Sequence, residues 1–418
     1  MADIESNGPG RFRIAALAGS LVLAASCALG AGGAPFDEQG AGAAEGAIWD
    51  LSKPFWVFFA QERLLAPETP LGEAIPRAAF AHIRPAGDDA RLFFILAGIA
   101  YLGLYHWERE SVELEASLFS MLVPVGSSLY RDGREVEAEA FEESWVDMSL
   151  RAQKTWRSPG GARTRLGLEY QLAYRDYRRA EETDPSFVLP ADTLVHEFDL
   201  SAAFDTRARG PMGDFARGFE LELGAAFESR AEWNAWGMPP SLYDDASAAH
   251  ARTAFGSLEF HRTFGPAVLH GKLRGAKGWD LDRLTFIRLG GGGFGRQFDR
   301  VGAGSTGAAN DGELFRSDGV PGYFGGEFFT DEYAQANLEL DIPLGAMALA
   351  HVSAAWATFR DALDSFTRKD LLGWGLGFTR IFEWKSALRL DLGYSPRPDG
   401  SLGAADSADI TLTYIRKF

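Results

Sequence analysis

The chain has 418 residues, a formal net charge of −17, 46% hydrophobic residues and a mean hydropathy of −0.12. That balance excludes a helical membrane bundle and argues against nucleic acid or an anionic membrane surface as partner. It leaves two or three soluble domains, or one large barrel whose strands hide their apolar content in alternation. The 48 glycines and 31 phenylalanines suit turns, barrel bends and a lipid-facing belt.

Residues 1–34 read as an export signal, because Arg11 and Arg13 precede an alanine-rich apolar run over 14–31. Leu23-Ala24-Ala25-Ser26-Cys27 resembles a lipoprotein box, which would leave Cys27 acylated; Gly32 and Ala34 suit ordinary cleavage instead. Cys27 is the only cysteine, so an internal disulfide and a cysteine-built metal cluster are both excluded.

Residues 35–110 form a short N-terminal segment that reads as a plug, a linker or extra strands. Its apolar blocks are 49–59 and the nearly uncharged 92–107. The second is shorter than the ~20 residues of a spanning helix. Periodicity leaves it open as an apolar strand, a plugging helix or a membrane-seeking helix.

From Val112 to Phe418 the period is two. Leu166, Leu168, Tyr170, Leu172 and Tyr174 alternate with Arg165, Glu169, Gln171 and Arg175. Leu194, Phe198, Leu200 and Phe204 alternate with Glu197, Asp199, Ser201 and Asp205, and Phe219, Leu221 and Leu223 with Glu220 and Glu222. A helix with these sequences would be charged and apolar on every side, so strands are required. Their runs of ten or more residues match tilted membrane-spanning strands rather than soluble ones of about five or six. Trp156, Trp233, Trp236, Trp279, Trp384 and Tyr394 gather near strand ends, as in interfacial girdles.

Short links near 264–266, 344–346 and 383–386 alternate with long ones near 230–250, 278–331, 360–369 and 396–407. Short turns on one side and long loops on the other are the outer-membrane pattern. The fold expected over 111–418 is therefore an all-β, antiparallel transmembrane barrel in the bacterial outer membrane. It would have 12 strands, or 14–16 if the segment before it contributes. The last strand carries Ile410, Leu412, Tyr414 and Phe418 on one face, and its terminal aromatic looks like the C-terminal assembly signal of such barrels.

No chemistry is legible. The seven histidines show no ligand spacing, no Gly-x-Ser-x-Gly elbow occurs, and paired acids such as Glu113/Glu115 and Glu220/Glu222 read as lumen charge. The expectation is no enzyme, no cofactor and no metal. The glycine run at 290–293 is followed by neither GKS nor GKT, so it is no phosphate loop.

That run belongs to a larger pattern. Leu289-Gly290-Gly291 is followed by Val320-Pro321-Gly322-Tyr323, then by Asn337-Leu338-Glu339-Leu340-Asp341-Ile342-Pro343-Leu344. Over residues 284–418 this resembles the BamA/TamA and two-partner-secretion barrels, the bacterial surface-antigen superfamily. There an "LGG…VRGY" loop precedes a strand reading roughly "NLExRxPL". The resemblance implies a long loop folded into the lumen before the last five strands. It also implies lumen positions Glu339, Asp341 and Ser353 facing that loop, and a role in insertion or passage of macromolecules.

In the family an arginine of the loop and an aspartate of the wall hold the loop in place; here those positions are Pro321 and Ser353. The family's periplasmic domains have no counterpart in residues 35–92. The alternative is a passive pore or structural barrel that has lost the translocase machinery. Expected partners are outer-membrane lipid and lipopolysaccharide, the barrel assembly machinery, and polypeptide or lipid clients.

Overall fold

Alternation forces strands, and strands in lipid must leave no edge unpaired. The computed structural model describes residues 54–65, 75–86, 89–97, 100–127, 130–131, 134–209, 215–289, 320–321, 328–345, 347–382, 386–396 and 407–417. Cys27, Gly290, Gly291, Gly322, Tyr323 and Phe418 lie outside them.

Sixteen long strands follow in chain order. They are β1 Phe55–Leu65, β2 Ile75–Pro85, β3 Ala90–Ala97, β4 Ala100–Arg109 and β5 Val112–Ser127. Then come β6 Phe141–Arg157, β7 Arg163–Arg179, β8 Thr193–Asp205, β9 Phe215–Arg230, β10 Arg252–Phe264 and β11 Ala267–Trp279. The last five are β12 Phe328–Gly345, β13 Ala348–Asp361, β14 Thr367–Phe382, β15 Ser386–Ser395 and β16 Ser407–Lys417. Each pairs antiparallel with its sequence neighbours, and β1 pairs antiparallel with β16 from Val57↔Lys417 to Leu65↔Ile410. Every strand thus has two partners.

The count of twelve therefore holds from Val112 onward, and residues 55–109 add four strands to reach sixteen. The block at 92–107 is neither plug nor helix but most of the β3–β4 hairpin, in which Ala97 pairs Ala100. Phe94, Leu96 and Tyr105 point outward, whereas Leu104 and His106 are buried. With apolar residues on both faces, the period of two is erased from the sequence.

The barrel is inside out relative to a soluble protein. Leu168, Leu200, Leu223 and Leu376 are 55–59% exposed, while Glu197, Glu220, Glu222 and Arg165 are 3–6% exposed. Only a hydrocarbon solvent outside the wall stabilises that arrangement. Wall height varies. β1–β4, β15 and β16 have 8–11 residues, whereas β6, β7 and β12 have 17 or 18. About 9–11 tilted residues cross a bilayer, so the tall strands project beyond it on the long-loop side.

That projection carries a packed cap. Phe141, Tyr177, Phe187, Trp236 and Leu284 form one buried cluster. Trp236, expected in a lipid girdle, lies here at 1% exposure, while Trp156, Trp279 and Tyr394 do face outward. Asp282, 1% exposed, accepts two 2.8 Å bonds from Arg230 and a 3.0 Å bond from Trp236 Nε1. The charge pair is bidentate and fully enclosed, the strong form of such a bond.

Candidate functional site in the barrel lumen

The inner face of β14 is nearly bare. Its inward positions run Leu371, Gly373, Gly375, Gly377 and Thr379, while Leu372, Trp374, Leu376 and Phe378 point to lipid. Val320 and Pro321 lie in the trough this leaves. A Cβ on Gly373 would overlap the Pro321 carbonyl and stand 3.0 Å from Val320 Cγ1. A Cβ on Gly375 would meet Ser353 Oγ and stand 3.6 Å from Pro321 Cγ. Val320 is 1% exposed and clusters with Leu289, Phe328, Ala355, Phe359 and Leu371. Leu289 pairs Phe328.

Ser353 lies in register between Glu339 on β12 and Gly375 on β14. The structure thus brings Pro321 and Ser353 to opposite sides of one glycine, with Glu339 a strand away. At the two positions of the charged lock implied by the resemblance, the described residues show packing, with Pro321 seated on glycines. Glu339 and Asp341 contact side chains of the barrel wall. Arg389 on β15 reaches Glu339 Oε2 at 3.1 Å, and Asp341 takes His351 at 2.7 Å and His270 at 3.1 Å.

These contacts belong to a polar belt near the short-turn end. Arg207 joins Asp205 (3.1 Å), Glu220 (2.6 Å) and Glu259 (3.4 Å), and Arg165 also pairs with Glu220. Glu259 contacts His261 at 2.8 Å, and His261 Nδ1 lies 2.7 Å from His270 Nδ1. From His270 the belt continues through Asp341 and His351 to Thr379, 2.7 Å from His351 Nε2. Buried charge in a lumen is tolerated only when paired in this way.

The histidines, without ligand spacing along the chain, nevertheless have partners in the fold. His82 stacks on Trp56, His196 bonds Tyr170 at 2.9 Å, His250 bonds Ser229 at 3.0 Å, and His106 faces two glutamates. Chain spacing conceals this because hairpin partners are joined by register. His261 and His270 are equally far from the turn between Phe264 and Ala267.

At the C-terminal strand, Ile410, Leu412 and Tyr414 pair Leu392, Leu390 and Leu388, sharing their lipid-directed face. On the other side they meet Leu65, Glu62 and Ala60 of β1. The expected C-terminal signal therefore lies on the closing seam.

An apolar outer wall, a charged lumen, short turns at one end and a capped loop end define a bacterial outer-membrane β-barrel. No known protein family matches the chain by sequence, nor does any curated protein. Among solved structures it is similar to CdiB from Acinetobacter baumannii, at TM-score 0.55 and 9% identity, covering 88% of this chain and 60% of that one. It is similar also to BamA from Haemophilus ducreyi lacking POTRA domains 1–3, at TM-score 0.55 and 10% identity, covering 88% and 70%. The likeness is one of fold, and the chain spans about three fifths of the CdiB structure.

Proposed function

We propose that this barrel acts in the insertion or passage of macromolecules, polypeptide or lipid, at the outer membrane, without enzymatic chemistry. The observation that carries the reading is the Val320–Pro321 segment seated on Gly373 and Gly375 inside the lumen. In a barrel that passes macromolecules, a segment seated in this way on the inner wall would be the element displaced during passage. The seam supports the same reading. The seam where β1 meets β16 lies within the low-walled part of the barrel, among strands of 8–11 residues.

Its partners in this reading are outer-membrane lipid and lipopolysaccharide, the assembly machinery that inserts it, and a client. Without the loop arginine and wall aspartate, packing of Val320 and Pro321 on β14 would hold this part of the segment, with a lower barrier to displacement than a charged lock.

Depletion of the protein in its native host, followed by quantitative proteomics and lipid analysis of the outer membrane, tests the proposal. Selective loss of particular surface proteins or lipids is expected. An unchanged outer membrane, together with a large steady conductance in planar bilayers, would favour a passive pore.

A further inference from the structure

His106 on β4 stands directly across from Glu115 on β5, and Glu113 lies one pleat nearer the turn that joins the two strands. The three side chains share the inner face and converge, one ligand atom of each lying within 4.8 Å of the others. His106 Nδ1 is 3.7 Å from Glu113 Oε1 and 3.5 Å from Glu115 Oε2. Both separations exceed the ~2.9 Å of a normal N–H···O bond. They match the edge of a coordination tetrahedron, where bonds of about 2.0–2.2 Å set ligand atoms about 3.3–3.6 Å apart.

Two further observations point to a ligand. The His106 ring, whose Nδ1 faces both carboxylates, is 4% exposed. Glu115 Oε2, the oxygen facing that nitrogen, has no hydrogen-bond partner. Polar atoms buried in this way are costly unless something meets them.

Glu113 is held for the task. Gln153 Nε2 donates to its other oxygen at 2.9 Å, and Arg151 Nη2 donates to Gln153 Oε1 at 2.9 Å. Outer hydrogen bonds of this kind orient metal-binding carboxylates.

Along the same row, Glu115, Arg151 and Glu169 follow one another in register, which places the site in a carboxylate-rich part of the lumen.

Among the described residues one other group has comparable spacing, Glu339, Asp341 and His351. Its members are engaged by other side chains, Asp341 by two histidines and Glu339 by Arg389.

We propose that His106, Glu113 and Glu115 bind a first-row divalent cation of the Zn²⁺ class. Imidazole nitrogen with two carboxylate oxygens is a donor set for such ions, and lumen water completes the shell. The ion clamps β4 to β5 just inside the short-turn mouth, beside the low-walled part of the barrel.

The test uses the full chain folded in detergent, stripped with EDTA and titrated with Zn²⁺ by calorimetry, with Co²⁺ absorption as a second probe. The expected result is a one-equivalent site lost in His106→Ala and weakened at least tenfold in both Glu113→Gln and Glu115→Gln, but kept in His351→Gln. The glutamine variants change one atom each, so they decide the matter even where His106→Ala fails to fold. Absence of Zn²⁺ binding by the unsubstituted chain would overturn the proposal. So would unchanged binding in both glutamine variants, or loss of the site in His351→Gln.

Discussion

The Pro321 carbonyl occupies the space where Gly373 would carry a side chain. The bare face of β14 and the re-entrant segment therefore depend on each other, and substitution at either should release the other. Gly373→Val inserts three carbons into an occupied space, at a cost of about 1–3 kcal/mol. Its expected effect is faster proteolysis within 290–327 with heat-modifiability of the barrel intact. Leu372→Val, on the lipid side of the same strand, should leave proteolysis unchanged.

Lipid and lumen faces should respond in opposite ways to charge. Leu168 and Leu200 pair across β7 and β8 on the outer surface, and Glu169 and Asp199 pair one residue away on the inner. Leu168→Arg places a cation in hydrocarbon at ~2–4 kcal/mol near the midplane. It should reduce the folded fraction in outer-membrane preparations, whereas Glu169→Gln should not. Equal tolerance on both faces would reverse the assignment of lumen and lipid.

Alternation made β5–β16 legible because each of those strands has one face in lipid and one in a charged lumen. β3 and β4 escaped because Leu104 is apolar yet points inward, so both faces read alike. The loop segment was found through Val320, Pro321 and the strand after it. The linked histidines of the polar belt were not, since His261, His270 and His351 meet only across strand pairings. Counting outward from the turn at 265–266 would have paired His261 with His270. The link through Asp341 requires the β11–β12 register, which no local signal supplies.

The cap should unfasten before the barrel does. Asp282→Ala leaves the buried Arg230 guanidinium with only the Glu228 carboxylate, 3.5 Å from its Nε. The cost is up to about 3–5 kcal/mol, the loss for breaking a buried pair. Chymotrypsin should then cut within 231–251 and 280–286 while the sixteen strands remain protected. Protection equal to the unsubstituted protein would mean that the aromatic cluster holds the cap unaided.

A charged lock can be rebuilt. Ser353→Asp alone sets a carboxylate directly opposite Glu339, and like charges in register repel. Pro321→Arg alone brings an unpaired guanidinium into the trough. Together the two should be better than the sum of the singles, since each supplies the other's partner. The double variant should show slower loop proteolysis and smaller conductance fluctuations than either single variant.

The central claim is that residues 320–321 sit inside the lumen on β14. Disulfide trapping in outer membranes tests it most directly. Pro321→Cys is combined with Gly375→Cys in a Ser353→Ala background, which clears the oxygen that the new Cβ would meet. With Pro321 Cγ 3.6 Å from that Cβ position, rapid cross-linking under mild oxidation is expected. Failure to cross-link, with both thiols reactive to an external reagent, would place the segment outside the barrel and contradict the account.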